Sequence, residues 1–204
     1  MKLIILIIFV LVFQNKNCFY FSVIISIYNT GRYLDDSIGS LLNQTIGSDK
    51  IQIILVNDGS TDNSEKICLK YQREFKKNIN YIKIEHGGVS KARNIGLKYV
   101  KGLFINFLDS DDKWDSEAFK NIYLFFKLNK KIDIVGGRIR YFESRNNYHF
   151  LDYKFKTTRV VNLTNEYNCI QLSASGSFFR FTSIKGKEFD ENIFSGEDVR
   201  FISN

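Results

Sequence analysis

From residue 22 onward the chain alternates short apolar, β-branched runs with longer stretches in which apolar residues recur every three or four positions. Residues 22–28 (SVIISIY) are bounded by Asn29, Thr30 and Gly31, the pattern of a strand buried on both faces. Tyr33, Leu34, Ile38, Leu41 and Leu42 then follow at helical spacing. The same reading predicts strands at 51–56, 81–84, 103–108 and 132–135. Between them it predicts helices at 64–75, 90–100 and 116–128, the last with Ser116 as its cap.

Strand and helix in strict alternation predict an α/β fold, a mostly parallel sheet flanked by helices with right-handed crossovers. Ligands of such sheets bind beyond the carboxyl ends of the strands. Polar segments fall there in this chain: Tyr28 and Asn29 close the first strand, 57–62 follow the second and 109–112 the fourth. Past Gly136 the periodicity fades, and 138–158, rich in aromatics and charge, is read as further strands or an excursion over the acceptor side.

Composition narrows the picture. With 204 residues and 44% hydrophobic content, the chain suits one well-buried domain. The formal charge of +7 comes from Lys and Arg interspersed with acids. No dense basic stretch or groove-reading motif accompanies it, so nucleic acid is not an expected partner and a solvated Lys-rich surface is favoured. Proline is absent altogether, where average usage would give about ten. Cys18, Cys68 and Cys169 show no ligand spacing and read as free packed thiols of a reducing compartment. Residues 3–13 are uninterrupted apolar side chains behind Lys2. At about 1.5 Å per residue that run falls short of a hydrocarbon core of roughly 30 Å. It is set aside as a leader, signal or anchor (1–21) ahead of a domain at 22–204. The expected location is cytoplasmic or membrane-associated through the N-terminus, with secretory entry open from residues 1–17 but no clear cleavage site.

Four polar segments carry chemistry. VNDGSTD at 56–62 has the residues that turns and helix caps prefer. HGGVSKARNIGL at 86–97 puts two glycines ahead of a helix start, where backbone N–H groups can approach an anion. FLDSDD at 107–112 gathers Asp109, Asp111 and Asp112 directly after an apolar strand. Clustered carboxylates repel one another unless a cation or donors intervene, and hard oxygen ligands suit Mg²⁺ or Mn²⁺. SGEDVRF at 195–201 places an acid pair at a helix start, a common cap when taken alone.

In this order and spacing the four segments resemble the family 2 glycosyltransferases, inverting enzymes with the GT-A (Rossmann-like) fold, over roughly residues 22–201. The resemblance implies transfer of a sugar from a nucleotide-sugar donor, a UDP-sugar first, to an acceptor hydroxyl of a glycan or lipid-linked saccharide. It implies that Asp58 reads the base edge, with Asp62 left as a helix cap, and that Lys91 and Arg93 contact nucleotide or diphosphate. Asp109 would bind ribose or metal, Asp111 the bridging Mn²⁺ or Mg²⁺, and Asp198 would be the general base. Ser26, where the family usually has proline, joins Tyr28 and Asn29 as a second-rank nucleotide contact. His86 departs from the family's usual Asn and receives no role. The chain stops six residues after Asp198, where the family usually continues, so a C-terminally truncated, incomplete or non-catalytic relative is the alternative. A nucleotidyltransferase ranks lower, because 29–32 (NTGR) is a poor triphosphate loop. Acceptor contacts are expected from 138–183.

Overall fold

A computed structural model describes residues 19–137, 140–144, 147–150, 173–193 and 197–203. Its elements are β1 (Phe21–Ile27), α1 (Gly31–Leu42), a short 3₁₀ turn (Ser48–Lys50), β2 (Ile51–Asp58), α2 (Ser64–Glu74), β3 (Ile79–Ile84), α3 (Val89–Leu97), β4 (Phe104–Asp109), α4 (Ala118–Leu128) and β5 (Ile134–Gly136). After these come β6 (Arg140–Ser144), β7 (Asn147–Phe150), β8 (Ser177–Arg180), α5 (Phe181–Ile184) and α6 (Glu197–Ser203).

Six strands form the main sheet in the order β3-β2-β1-β4-β8-β5. The first four are parallel; β8 runs antiparallel to both β4 and β5. The predicted α/β sheet flanked by helices is therefore the observed one. Strand β1 lies at its centre, and its alternate side chains supply both layers of core. Phe21, Val23, Ile25 and Ile27 face α1, α2 and α4 through Leu34, Ile38, Cys68, Phe119 and Phe126. Ile24, with Ile54, Val56, Ile105 and Phe107, faces Ala92 of α3 and Phe189, Phe201 and Ile202. Each such side chain, fully withdrawn from water, contributes about 1.5–3 kcal/mol. On the second face α3 packs so tightly that a Cβ at Gly96 would stand 2.5 Å from Ile24 Cγ2.

Some expectations shift. The helix predicted from Ser116 begins at Ala118, and the Ser116 hydroxyl caps nothing, because its carbonyl is tied to Thr45 N–H at 3.0 Å and the residue belongs to the preceding turn. The fifth strand moves from 132–135 to Ile134–Gly136, since Ile132 N–H closes a turn on Asn129 O. Strand β8, which periodicity missed, wedges between β4 and β5. In the aromatic excursion, β6 and β7 pair as a separate antiparallel hairpin. Cys68 is a buried free thiol, pushed up to about 12 by burial; Cys18 and Cys169 lie outside the described residues. No described helix is long and apolar enough to cross a membrane, and the apolar run 3–13 lies outside the described residues.

Candidate functional site

The carboxyl ends of β1, β2 and β4 and the amino end of α3 meet on one edge of the sheet, and two clusters form there. The first is built on Asp58, the last residue of β2, whose side chain is 4% exposed. Its carboxylate accepts the Gly87 N–H at 2.8 Å and the Gly88 N–H at 2.9 Å. Gly59 makes this approach possible, with φ at 72° and a Cβ position only 3.0 Å from His86 N. His86 Nδ1 lies 2.9 Å from Asp58 Oδ2 and 3.2 Å from the Asp58 carbonyl. Two acceptors opposite one ring nitrogen make it the protonated one. The imidazole stacks on Tyr28, with centroids 4.1 Å apart and planes at 19°. No third ring fits between them, so a base edge approaching Asp58 from this side must displace His86. Sequence reasoning gave this histidine no role; its place directly after a strand and before Gly-Gly was the available signal.

Asn29 and Asp62 tie the loops beneath that cluster. Asn29 has φ at 53°, a left-handed conformation that Asn tolerates better than most residues. Its Oδ1 accepts the Thr61 N–H at 2.8 Å and the Asp62 N–H at 3.3 Å. Asp62 in turn accepts N–H groups from Gly31 and Ser64, each at 2.9 Å, and so serves the starts of both α1 and α2. Burial works to raise its carboxyl, but the Ser64 and Gly31 hydrogen bonds outweigh it and hold the group below its ordinary value. Ser26 sits at the end of β1, in register with Val56 and Asp109.

The second cluster centres on Arg93, in the first turns of α3 and only 3% exposed. Its Nη2 donates to Asp109 Oδ1 at 3.0 Å, and its Nη1 to Asp198 Oδ1 at 2.7 Å and Glu197 Oε1 at 3.2 Å. The Phe189 ring covers the guanidinium, 5.1 Å from its central carbon. The other oxygen of Asp198 accepts the Ala174 N–H at 2.9 Å. Next to Arg93, the Asn94 amide donates to the Phe189 carbonyl at 2.9 Å and to Glu191 at 3.0 Å, and accepts the Phe189 N–H at 2.7 Å. Phe189 and Glu191 are thus fastened to α3 through Asn94, and Asp198 through Arg93. Lys91, by contrast, is half-buried and makes no ion pair with a described residue.

Three carboxylates around one guanidinium leave the second cluster negative, and Asp111 and Asp112 add to it. Burial pushes the Asp109 carboxyl up; Arg93 opposes that and the Asp198 charge reinforces it. Asp112 is pushed up to about 6 by burial and by the charges of Asp109 and Asp111. Among the described residues no three candidate ligands converge as a ready-made metal cage. The oxygen donors at Asp109 and Asp111, under mutual repulsion and open to solvent, fit a hard divalent cation whose other ligands come from a phosphorylated substrate.

Residues 22–185 match the family model described as Glycosyl transferase family 2. The chain is 44% identical to the minor teichoic acid biosynthesis protein GgaB of Bacillus subtilis over 90% of its own length and 20% of the relative's. It is 40% identical to GgaA of the same organism, over 90% of its length and 42% of the relative's. Among solved structures, S. aureus TarS 1–349 in complex with UDP-GlcNAc superimposes with a TM-score of 0.77 at 30% identity, covering 89% of this chain and 51% of that one. A mannosyltransferase of Pyrobaculum calidifontis, solved with GDP-Man and Mn²⁺, shares the fold at a TM-score of 0.64 and 14% identity. The chain thus spans between a fifth and about half of these proteins.

Proposed function

Since the chain belongs to glycosyl transferase family 2, we propose that its sheet edge transfers a sugar from a UDP-sugar to a hydroxyl of an anionic, teichoic-acid-type polymer, with inversion at the anomeric carbon. One observation carries the reading: Asp109 at the end of β4 and Asp198 on α6, 89 residues apart in sequence, share the Arg93 guanidinium. This supports reading Asp109 as a donor-side carboxylate and Asp198 as the base on one edge of the sheet. The donor class is supported by TarS, solved with UDP-GlcNAc. The acceptor class is supported by the relatives' part in teichoic acid biosynthesis and by the chain's charge of +7, which favours an anionic polymer.

In this reading Asp198 is the general base. Among the described residues each of its oxygens accepts one hydrogen bond, and a carboxylate has about four lone-pair positions, which suits a further bond from the acceptor hydroxyl. As that oxygen attacks the anomeric carbon, its proton passes to Asp198 while the bond to the diphosphate breaks. Asp111, with Asp109, would hold Mn²⁺ or Mg²⁺, whose charge offsets that developing on the departing diphosphate. Lys91, without an acid partner among the described residues, is placed to assist from the amino end of α3. Asp58 and Tyr28 form the base end of the donor site, and Ser26 lies below it.

The test is nucleotide diphosphate release from a panel of UDP-, GDP- and dTDP-sugars with poly(ribitol phosphate) as acceptor, with and without Mn²⁺, beside Asp111→Ala and Asp198→Ala. Metal-dependent release from a UDP-sugar, lowered at least about 100-fold by either substitution, is the expected result. Release indifferent to Asp198→Ala would overturn the assignment of the base, and release confined to GDP- or dTDP-sugars the assignment of the donor.

A further inference from the structure

We propose that Arg93 is a positioning residue that fixes the separation of Asp109 and Asp198, and that it does not hold the donor diphosphate; this rests on the reading of Asp198 as the base. The SKARN segment offers two cations to a phosphate, Lys91 and Arg93, and the structure separates them. Arg93 is 3% exposed, and both of its terminal nitrogens are engaged by carboxylates within 3.2 Å. Phe189 covers one face of the guanidinium, and a diphosphate would have to compete with those carboxylates for its N–H groups. With three acids around one guanidinium, the local charge would also repel a phosphate. Lys91 has neither obstacle.

The geometry points to alignment as Arg93's task. A guanidinium is a rigid planar fork that can serve two acids at a fixed spacing, whereas an ammonium is a single point on a flexible stem. Here the fork spans the donor side, through Asp109 on Nη2, and the acceptor side, through Asp198 on Nη1. Asp198 is held from the other side by the Ala174 N–H, so loss of Arg93 leaves it anchored but free to swing. Misplacement of a catalytic group by about 1 Å can lower turnover about 100-fold without touching ground-state binding.

The experiment combines Arg93→Met, Arg93→Lys, Asp198→Asn and the double variant Arg93→Met/Asp198→Asn in the full chain. Dissociation constants for UDP and UMP are measured with Mn²⁺ present, and turnover is followed as UDP release. Arg93→Met is expected to lower kcat about 100-fold while UDP and UMP affinities stay within about 3-fold of wild type. Arg93→Lys should fall between, near 10-fold, and keeps the test available if the Met variant does not fold. In the Asp198→Asn background, Arg93→Met should change the residual rate by less than about 3-fold, because groups acting as one unit are not additive. A UDP affinity that collapses while UMP affinity holds would mean that Arg93 binds the β-phosphate, and would overturn the proposal. Full additivity with Asp198→Asn would overturn it as well. If Asp198→Asn leaves wild-type turnover intact, the base assignment itself falls, an outcome distinct from either.

Discussion

The two carboxylate clusters on the sheet edge are satisfied in opposite ways. Asp58 is buried and met mainly by neutral donors, the N–H groups of Gly87 and Gly88, with one imidazole beside them. Its hydrogen bonds are local to two adjoining loops, and its single charge is well solvated by the backbone. Asp109, Asp198 and Glu197 share one guanidinium, and Asp111 and Asp112 add their charges beside them. Preorganised amides around one carboxylate suit recognition of a fixed hydrogen-bonding edge, because nothing there has to move charge. An excess of negative charge suits a place where a cation and a proton arrive during the reaction. A donor lying across both would be read at one end and reacted at the other.

The comparison breaks most severely where the second cluster is fastened to the sheet. Asn94→Ala removes an amide that holds both the N–H and the C=O of Phe189 and also Glu191. Buried backbone groups left without partners cost about 1–3 kcal/mol each, so a loss of about 2–4 kcal/mol is expected. Denaturant unfolding measures it, and turnover should fall further than stability alone accounts for, because Phe189 covers the Arg93 guanidinium that holds Asp198. A variant as stable as wild type would show that Phe189 and Glu191 are held by other means.

A smaller and more selective effect is expected at the first cluster. Asp58→Asn keeps the shape but weakens the bonds to Gly87, Gly88 and His86. Loss of one charge-assisted contact corresponds to about 1.5–3 kcal/mol, or roughly 10- to 100-fold in UDP affinity, with kcat at saturating donor within a few-fold of wild type. Asp198→Asn should do the reverse, sparing UDP affinity and losing kcat. Equal loss of affinity and kcat at both positions would erase the division of labour between the clusters.

How much of this could be read from the chain depended on range. Strands β1, β2 and β4 were legible because a strand buried on both faces is a short, mostly apolar run, and their polar ends fell where a parallel sheet puts its ligands. The four-residue β8 was not, since SFFR becomes a strand only by inserting antiparallel between β4 and β5. Tyr28, Asp58, Asp109 and Asp198 all reach the same edge, as their places at element ends implied. Arg93 and His86 resisted reading for a common reason. Beside Lys91 in the chain, Arg93 reads only as a basic residue near a helix start; its ties to Asp109 and Asp198, 16 and 105 residues away, are set by the fold. His86 likewise gains meaning only through Asp58, 28 residues earlier.

The smallest expected effect lies at the rim of the second cluster and reports on its excess charge. Asp112 has its carboxyl raised from 3.8 to about 6, by burial first and then by the charges of Asp109 and Asp111. A carboxyl raised on folding binds its proton more tightly in the native state. Its unfavourable contribution is therefore absent below pH 3.8, grows between 3.8 and about 6, and is fully present above. The residue as a whole is exposed although its carboxyl is partly desolvated, and solvent screening keeps that contribution small. Asp112→Asn should accordingly raise the melting temperature at pH 7.5 by a degree or two, change nothing at pH 3.5, and lose its advantage as Mn²⁺ is titrated in to neutralise Asp109 and Asp111. A variant less stable than wild type at pH 7.5 would mean that Asp112 is held by favourable contacts and that the second cluster carries less unbalanced charge than its carboxylates imply.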